Sequence, residues 1–310
     1  MKKNSIYVFL TIFAGALFGL TGLTPAFILS GSALSLLVVN SSMGIIFPVV
    51  GISLVFSVMG GLSSFVLFLL SGILPGLFLG HCYKKKEALP VLVTTASACH
   101  ITGWVSLYFM YKSTQGSSLF EDIAKQFVIS ANTAMDQMVK NAGIPDAQKL
   151  ISPLKESIET TGEYFKILVP AFIIILSACA GLLTVMLSKK KAGYNVTPFS
   201  EIYIPTSMSF ICLVFCIAGF IVKDVNTLGF IANIIVIAFS YFVLCGVSAC
   251  DYFLKKKIAS DYFRIFILIA GLFILSLFFS GIIFSVLLLL GMTDASFDLR
   301  KLRRKAPKGE

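Results

Sequence analysis

The feature that most constrains this chain is a long stretch without charge, since no Asp, Glu, Lys or Arg lies between Lys3 and Lys84. Further apolar runs recur downstream, and a helix needs about 20 apolar residues to cross a bilayer. Hydrophobic residues make up 57% of the sequence and charged residues 13%, whereas a soluble domain carries about a quarter charged residues. We therefore predict an all-α, polytopic transmembrane helix bundle of about nine or ten membrane segments, several of them short or broken.

Basic residues are grouped in short clusters at the ends of the apolar runs. The clusters are Lys2–Lys3, Lys84–Lys86, Lys189–Lys191, Lys255–Lys257 and the tail Arg300–Lys308. Such clusters face the cytoplasm in membrane proteins and contact anionic lipids. We therefore predict that both termini are cytoplasmic and that anionic lipids of the cytoplasmic face are partners. A nucleic acid is not an expected partner, even at a net charge of +10, because the basic residues are not gathered on one surface.

The order of apolar and polar stretches predicts four parts. Residues 1–111 form an N-terminal membrane half of about five segments, and residues 164–292 form a C-terminal half of about four or five. Residues 112–163 carry five Lys against seven Asp or Glu. They also show an apolar stripe at helical spacing, which predicts an extracytoplasmic amphipathic hairpin lying on or capping the bundle. Its helices are expected to be separated at Gly143–Pro145, the second beginning near Ser152–Pro153. Residues 293–310 form a basic cytoplasmic tail.

The last apolar run, residues 265–290, admits two interpretations. As one span it would place the basic tail outside, against the orientation that the other basic clusters indicate. A break at Ser280–Gly281 would make two short helices and return the tail to the cytoplasm, although each half is shorter than a normal crossing. We favour the break, and the single span is the alternative.

Glycines at four-residue spacing mark two helix faces without side chains, and these are Gly72, Gly76 and Gly80 in the fourth segment and Gly15 and Gly19 in the first. Because apolar side chains gain nothing from leaving water a second time, helices in lipid associate by close backbone approach at such strips. We expect the strip of the fourth segment to pack against the first segment or a later one. The alternative is docking of a second membrane protein or another copy of the chain, with Gly15, Gly19 and Gly22 as the matching surface.

Ionisable residues inside the membrane are costly and therefore mark candidate functional sites. His100 is the only one well inside a predicted segment. We place a hypothetical ligand-binding site between the broken helices of the N-terminal half, at Thr24, Pro25, His100 and Trp104. The alternative is a neutral His100 that only forms a hydrogen bond between helices.

The sequence contains no arrangement typical of an enzyme. It has two histidines, no Gly-rich phosphate loop and no His and carboxylate at metal-ligand spacing. Cys212 and Cys216 share a helix face but have no such partner nearby, so they are interpreted as small residues of a helix interface. We expect no catalytic residue, no metal and no cofactor.

Two C-terminal stretches resemble a known family. The run Gly246–Lys257 and a Gly-x-x-Asp-x-x-Phe-Asp-x-Arg pattern, formed by Gly291, Asp294, Phe297, Asp298 and Arg300, resemble the closing signature of YybS-like bacterial membrane proteins, a domain of unknown function. The Gly-rich first four segments are similar too, whereas residues 112–163 are not part of the resemblance. It implies a bacterial plasma-membrane protein without assigned chemistry. It also implies distant similarity to substrate-binding subunits of energy-coupling-factor vitamin transporters and to the rod-shape protein MreD.

The residues themselves lead to two hypotheses about function. The first is a non-enzymatic small-molecule-binding or permease-type subunit for a small, largely apolar or weakly polar molecule. The second is a cell-envelope scaffold or regulatory membrane protein that acts through protein–protein contacts. At the end of the last helix, Asp294, Asp298, Arg300 and Lys301 are expected to form an exposed ion-pair cluster, worth about 0–1 kcal/mol.

Overall fold

The computed structural model describes residues 2–142, 147–189, 191–193, 199–202 and 205–301, and every regular element within these ranges is helical. This confirms the predicted all-α fold. The α-helices are α1 (Lys2–Thr21), α2 (Pro25–Asn40), α3 (Met43–Ser57), α4 (Leu62–Phe68), α5 (Leu74–Lys85), α6 (Leu89–Gln115), α7 (Leu119–Ala142), α8 (Ala147–Lys189), α9 (Thr206–Ile221), α10 (Val225–Lys255) and α11 (Asp261–Phe297). A π turn, Leu69–Ile73, joins α4 to α5, and 3-10 turns lie at Val58–Gly60 and Phe199–Glu201.

Several of the described helices have the length and composition of membrane spans. Those long and apolar enough to cross a bilayer are Asn4–Thr21, Met43–Gly60, Leu62–Lys85, Ser152–Lys189 and Asn226–Lys255. Shorter apolar stretches are Pro25–Asn40, Thr206–Ile221 and Gly281–Phe297. These lengths agree with the predicted helical membrane bundle that includes short and interrupted helices. The number of segments remains a prediction.

The chain divides into two compact units, Met1–Val196 and Thr197–Glu310. In the first, α1 packs against α3 and α2 packs against α5, in both cases at glycines. A Cβ added to Gly15 would lie 2.5 Å from the carbonyl oxygen of Ser53, and one added to Gly76 would lie 2.7 Å from Cβ of Leu34. These glycines therefore permit a backbone approach that any side chain would prevent.

Both glycine strips pack within the chain. Gly76 and Gly80 face α2, so this strip packs on the second segment and not on the first. Gly15 and Gly19 are covered by α3, whereas no heavy atom lies within 4 Å of a Cβ added to Gly22. A Cβ added to Gly72 would instead meet the Phe68 ring of its own segment at 3.1 Å, because the π turn shifts the helical register at that point.

One end of the first unit collects several helix termini. Nδ2 of Asn4 donates to the carbonyl oxygen of Asn40 at 3.2 Å, which places the start of α1 beside the end of α2. The hydroxyls of Tyr83 and Ser188 are 2.7 Å apart, which places the end of α5 beside the end of α8. Lys191 lies over the ring of Tyr7, 5.9 Å from its centroid. We call this end, where Lys84–Lys86, Lys189 and Lys191 lie, the basic end.

The polar segment between the membrane halves forms an antiparallel helical pair. The rings of Phe127 in α7 and Phe165 in α8 stack with centroids 5.4 Å apart, and Lys155 forms an ion pair of 2.9 Å with Asp136. The predicted turn at Gly143–Pro145 lies outside the described residues. The second helix of the pair begins at Ala147, a few residues before the predicted start near Ser152–Pro153, and α8 continues unbroken into its apolar half. At 43 residues, α8 is about 65 Å long, twice the thickness of a hydrocarbon core.

The second unit is built from α9, α10 and α11. Asp224 caps α10, since its carboxylate accepts a hydrogen bond from the Thr227 backbone N–H at 2.8 Å and so satisfies a donor that the first turn leaves free. The three helices share one small core, which contains Cys212, Ala238, Phe242, Cys245 and Ala295.

Helix α11 contacts the C-terminal part of α10 at two places that are far apart along α11. Nε of Arg264 donates to Oδ1 of Asp251 at 3.0 Å, and a Cβ added to Gly246 would overlap the carbonyl oxygen of Leu287. Gly246 and Asp251 are five residues apart, which is about 8 Å along a helix axis. Arg264 and Leu287 are 23 residues apart, or about 35 Å in a straight helix. Helix α11 therefore bends back on itself between these two residues.

The helical assignment continues without interruption through Ser280–Gly281, so the predicted break at this dipeptide is wrong. The change of direction lies somewhere between Arg264 and Leu287, whose contacts on α10 are close together. The start of α11 at Arg264 and its end at Asp294 both lie beside the C-terminal end of α10, since Asp294 is 3.5 Å from the sulfur of Cys245. The two-helix interpretation predicted this return of the chain. Residues 302–310 of the predicted tail lie outside the described residues.

Candidate functional site

A group of buried polar side chains lies within the apolar interior of the first unit. Its members are Ser30 on α2, Ser71 on the π turn, His100 on α6 and Ser177 on α8, each at most 2% exposed. The hydroxyl oxygens of the three serines and Nε2 of His100 have no hydrogen-bond partner among the residues that the structure describes. We call these four residues the polar layer. Buried polar atoms without partners are rare in native proteins, because each costs free energy, and they call for a physical explanation.

The π turn that carries Ser71 has a local cause in the sequence. Pro75 has no backbone N–H, and in a regular α-helix its ring would clash with the carbonyl group four residues earlier, which is that of Ser71. Widening the helix by one π turn over Leu69–Ile73 accommodates the ring without ending the helix. The interruption thus falls in the middle of the membrane segment and brings the Ser71 side chain against α6, where a Cβ on Gly103 would overlap its oxygen.

Only one of the four residues predicted to bind ligand belongs to this layer. His100 is buried, and its ring centroid lies 6.4 Å from that of Phe27. Thr24 and Pro25 are exposed at the start of α2, and Trp104 is half-buried on α6. Sequence reasoning missed the three serines. The spacing of Pro75 and Ser71 was the one available signal, because a proline four residues after a serine in an apolar run indicates a disturbed turn there.

In the second unit the family-like signature forms a buried charged cluster. Arg300 is 1% exposed and Asp294 3%, and Nε and Nη2 of Arg300 donate to Oδ2 of Asp294 at 3.0 and 2.6 Å. Nη1 donates to the carbonyl oxygen of Ser200 at 2.8 Å and to the hydroxyl of Ser248 at 2.7 Å. Nη2 also donates to the carbonyl oxygen of Ile202 at 2.7 Å. Arg300 therefore ties the segment before α9 to both α10 and α11.

Two other signature residues, Gly291 and Asp298, position the helices and the chain for this cluster. A Cβ on Gly291 would overlap the carbonyl oxygen of Phe242, so this glycine lets α11 cross α10 in backbone contact. Asp298 ends α11 in the left-handed conformation, with φ of 50°, which turns the chain so that Arg300 returns to Asp294. Phe297 is 77% exposed and takes no part in the cluster.

Of the ion-pair cluster predicted at the end of the last helix, the pair between Asp294 and Arg300 forms, but its predicted exposure is wrong. Asp294 and Arg300 are withdrawn from solvent, and a second buried pair joins Asp251 to Arg264 at 3.0 Å. Removing one partner of such a pair leaves an uncompensated buried charge, which costs several times more than losing a surface pair. Every nitrogen of the Arg300 guanidinium already donates to the protein, so the cluster serves the fold of this unit rather than a ligand.

The cysteines contribute no further site. Cys212 and Cys216 of α9 are free thiols, and Cys212 is buried in the core of the second unit. Among the residues that the structure describes, no group of three or more His, Cys, Asp or Glu side chains is arranged to hold a metal ion.

Comparison with known proteins places the chain in a family without identifying an activity. No curated protein and no solved structure matches it. A family model described as a predicted membrane protein, DUF2232, matches residues 5–295, which include both the polar layer and the Asp294 carboxylate. Since this match spans nearly the whole sequence, the chain belongs to the DUF2232 family of predicted membrane proteins.

Proposed function

We propose that this protein is a non-enzymatic, small-molecule-binding or permease-type subunit of a bacterial plasma membrane, and that its first unit carries the binding site. The observation that carries the proposal is the interrupted helix Leu62–Lys85. Its π turn lies in mid-segment, where it packs against α2 and α6. Irregular helical turns inside membrane segments are tolerated where they are buried in protein or line a cavity, and π turns occur frequently at functional sites.

The charge distribution supports the same proposal. The helices around the π turn bring no carboxylate, Lys or Arg side chain to its level, since α2, α4 and α5 contain none before Lys84 and α6 contributes the single imidazole of His100 there. A proton-coupled transporter needs a relay of ionisable groups in its membrane core. The first unit is therefore better suited to binding or transporting a molecule without coupling to protons. The basic end would then face the cytoplasm and hold anionic lipids.

A scaffold or regulatory role is the second candidate, and the helical pair α7–α8 favours it. Met138 and Leu154 on this pair are 72% and 53% exposed. Open grooves of about 450 and 570 Å³ run beside α7, and Lys125 and Ile129 line both. Apolar side chains on an exposed helical pair are typical of protein contact surfaces.

Native mass spectrometry of gently extracted protein separates the two candidates. The binding proposal expects a small molecule that remains on the chain after extraction. The scaffold candidate expects a stable membrane protein partner, or further copies of the chain, and no small molecule. A spectrum with a partner and no small molecule would contradict the binding proposal.

A further inference from the structure

The serines of the polar layer differ from most other buried hydroxyl groups of the first unit in their hydrogen bonding. Most buried serines and threonines of these helices donate to a carbonyl oxygen three or four residues earlier, as Ser53 does to Val49 at 2.7 Å and Thr11 does to Tyr7 at 2.8 Å. This local bond is the usual way for a hydroxyl to be buried in a membrane helix. Ser30, Ser71 and Ser177 have no such bond, although they occupy the same kind of apolar environment.

These unsatisfied groups lie at one level of the unit. Counted from the basic end, Ser30 is 10 residues from Asn40, Ser71 is 14 from Lys85, His100 is 11 from Leu89 and Ser177 is 12 from Lys189. At the rise of a helix these separations are about 15–21 Å, close to the middle of a hydrocarbon core about 30 Å thick. Ser41 and Asn132 also have a buried polar atom without a partner, but they lie at the end of α2 and in α7.

Contacts between the helices bring the members of the layer around His100. Gly103, one turn along the same face, meets the oxygen of Ser71. Phe27 packs against the His100 ring and lies one turn before Ser30 on α2. A Cβ on Gly181 would lie 2.7 Å from the backbone nitrogen of Ser97, and Ser177 and His100 each lie one turn from this crossing, on α8 and α6. These contacts thus place the four residues within one turn of crossings between neighbouring helical segments.

The chemistry of the layer defines what it would accept. A hydroxyl both donates and accepts, and a neutral imidazole does both through its two nitrogens. A charged guest would be left without a counter-charge, because apart from His100 itself the nearest Lys, Arg, Asp or Glu in these helices is Lys166, 11 residues before Ser177, or about 16 Å along the helix. An unpaired charge in a low-dielectric interior costs several kcal/mol. An uncharged guest avoids this cost and satisfies the four groups. The guest group must be small, since Ser71 lies directly against Gly103.

We propose that the polar layer of Ser30, Ser71, His100 and Ser177 is a binding site for a small uncharged molecule with both hydrogen-bond donors and acceptors, such as an amide or an alcohol. This inference rests on the proposed function and assigns its site and the class of its ligand. Buried hydroxyls kept without a protein partner lower the stability of the ligand-free protein, as is common for residues retained for function.

The test compares melting temperatures of the detergent-purified protein with three probes. Acetamide is the uncharged probe and acetate is the anionic probe. Sodium chloride tests a cation, with choline chloride as its control for ionic strength. Acetamide alone is expected to raise the melting temperature of the parent protein. The rise should be lost in Ser71→Ala and His100→Phe and kept in Ser53→Ala, the matched control, whose hydroxyl is buried but bonded to Val49.

Other results overturn the inference and separate its failure from that of the proposed function. A rise caused by sodium or acetate, and lost in Ser71→Ala, would contradict an uncharged guest while leaving a binding site in place. A small molecule that native mass spectrometry detects equally on the parent, Ser71→Ala and His100→Phe proteins would place the site elsewhere and leave the proposed function standing. No rise with any probe, together with a protein partner and no retained small molecule, would overturn both.

Discussion

Arg300 and Asp294 form a two-point contact in which Nε and Nη2 of the guanidinium both donate to Oδ2 of the carboxylate. The two residues are only six positions apart, but the left-handed Asp298 at the end of α11 separates them. The pair therefore exists only when the chain turns back after the helix. Because Arg300 also bonds the carbonyl oxygens of Ser200 and Ile202, it fixes the segment that precedes α9 as well.

Replacing Arg300 by Met should destabilise the protein by about 3–5 kcal/mol, since it leaves Asp294 charged and buried without a partner. Thermal unfolding in detergent measures the effect. Adding Asp294→Leu to Arg300→Met should restore part of the loss, because the double variant contains no uncompensated charge. The control is Lys301→Met, which removes an exposed charge next to Arg300 and should change little. Equal stability of Arg300→Met and Lys301→Met would mean that the pair does not hold the unit together.

The bend in α11 leads to a prediction about sidedness. Both ends of this helix lie beside the C-terminal end of α10, so exposed residues at the two ends should occupy the same side of the membrane. In a cysteine-less protein with single cysteines, Lys257→Cys and Lys301→Cys should react with an impermeant maleimide only after cells are permeabilised. Ser130→Cys in α7 should react on intact cells, and Lys191→Cys should not.

One labelling pattern would contradict the bend. If Lys301→Cys reacted on intact cells while Lys257→Cys did not, α11 would cross the membrane once as a single span. The contacts of Asp251 with Arg264 and of Gly246 with Leu287 would then not coexist in the membrane. Ser130→Cys tests the orientation of the whole chain independently, because it lies in the other unit.

The parts of the fold that were predictable are those that depend on local sequence. Runs of apolar residues marked the helices, and Pro25 and Pro90, both in first helical turns, lie where a proline is tolerated because its missing donor is not needed. The pairing of helices was not predictable in this way. Gly76 marked a contact surface, but nothing in the sequence near it indicates that Leu34 of α2 is the neighbour.

The residues of the candidate sites were likewise predictable only where the local sequence marks them. His100 was found because an ionisable residue in an apolar run is conspicuous in the sequence. Ser30 and Ser177 were not, since a serine in a membrane helix usually bonds to its own backbone and carries no signal. Asp294 and Arg300 were identified, yet their burial was missed because it depends on the turn at Asp298 and on the approach of α10. The unsatisfied serines and the burial of the Asp294–Arg300 pair both depend on long-range packing, which local sequence does not reveal.

The start of α7, where Asp122 lies, should become less stable at acidic pH. The hydroxyls of Ser117 and Tyr111 donate to Oδ2 of Asp122 at 2.6 and 2.8 Å, and these bonds, with that from Ser117 the stronger, hold the pKa of Asp122 below its ordinary value. A carboxylate with a lowered pKa stabilises the folded state above its unfolded pKa of about 3.9, and this contribution is lost as the pH falls through the folded pKa. The protection of amides in residues 117–124, measured against the intrinsic exchange rate at the same pH, should therefore fall at acidic pH, and Asp122→Asn should remove this pH dependence of the protection. An unchanged dependence in that variant would assign it to another group.

The packing of α5 on α2 gives the last prediction. Leu has a better helix propensity than Gly by about 0.8 kcal/mol, so Gly→Leu in an uncovered part of a helix should be neutral or stabilising. Gly51 of α3, which has no heavy atom within 4 Å of an added Cβ, is that control. Gly76→Leu should instead cost about 1–3 kcal/mol of unfolding free energy, because the new side chain collides with Leu34.

Second variants identify the partner helix. The double variant Leu34→Ala with Gly76→Leu should lose less stability than the sum of the losses of the two single variants, since the smaller side chain opens space for the new one. Gly19→Leu should add to Gly76→Leu without coupling, because Gly19 lies against Phe56 of α3 instead. Coupling of Gly76 with Gly19 and none with Leu34 would mean that α5 packs on α1 in the membrane, and the pairing of α2 with α5 would be refuted.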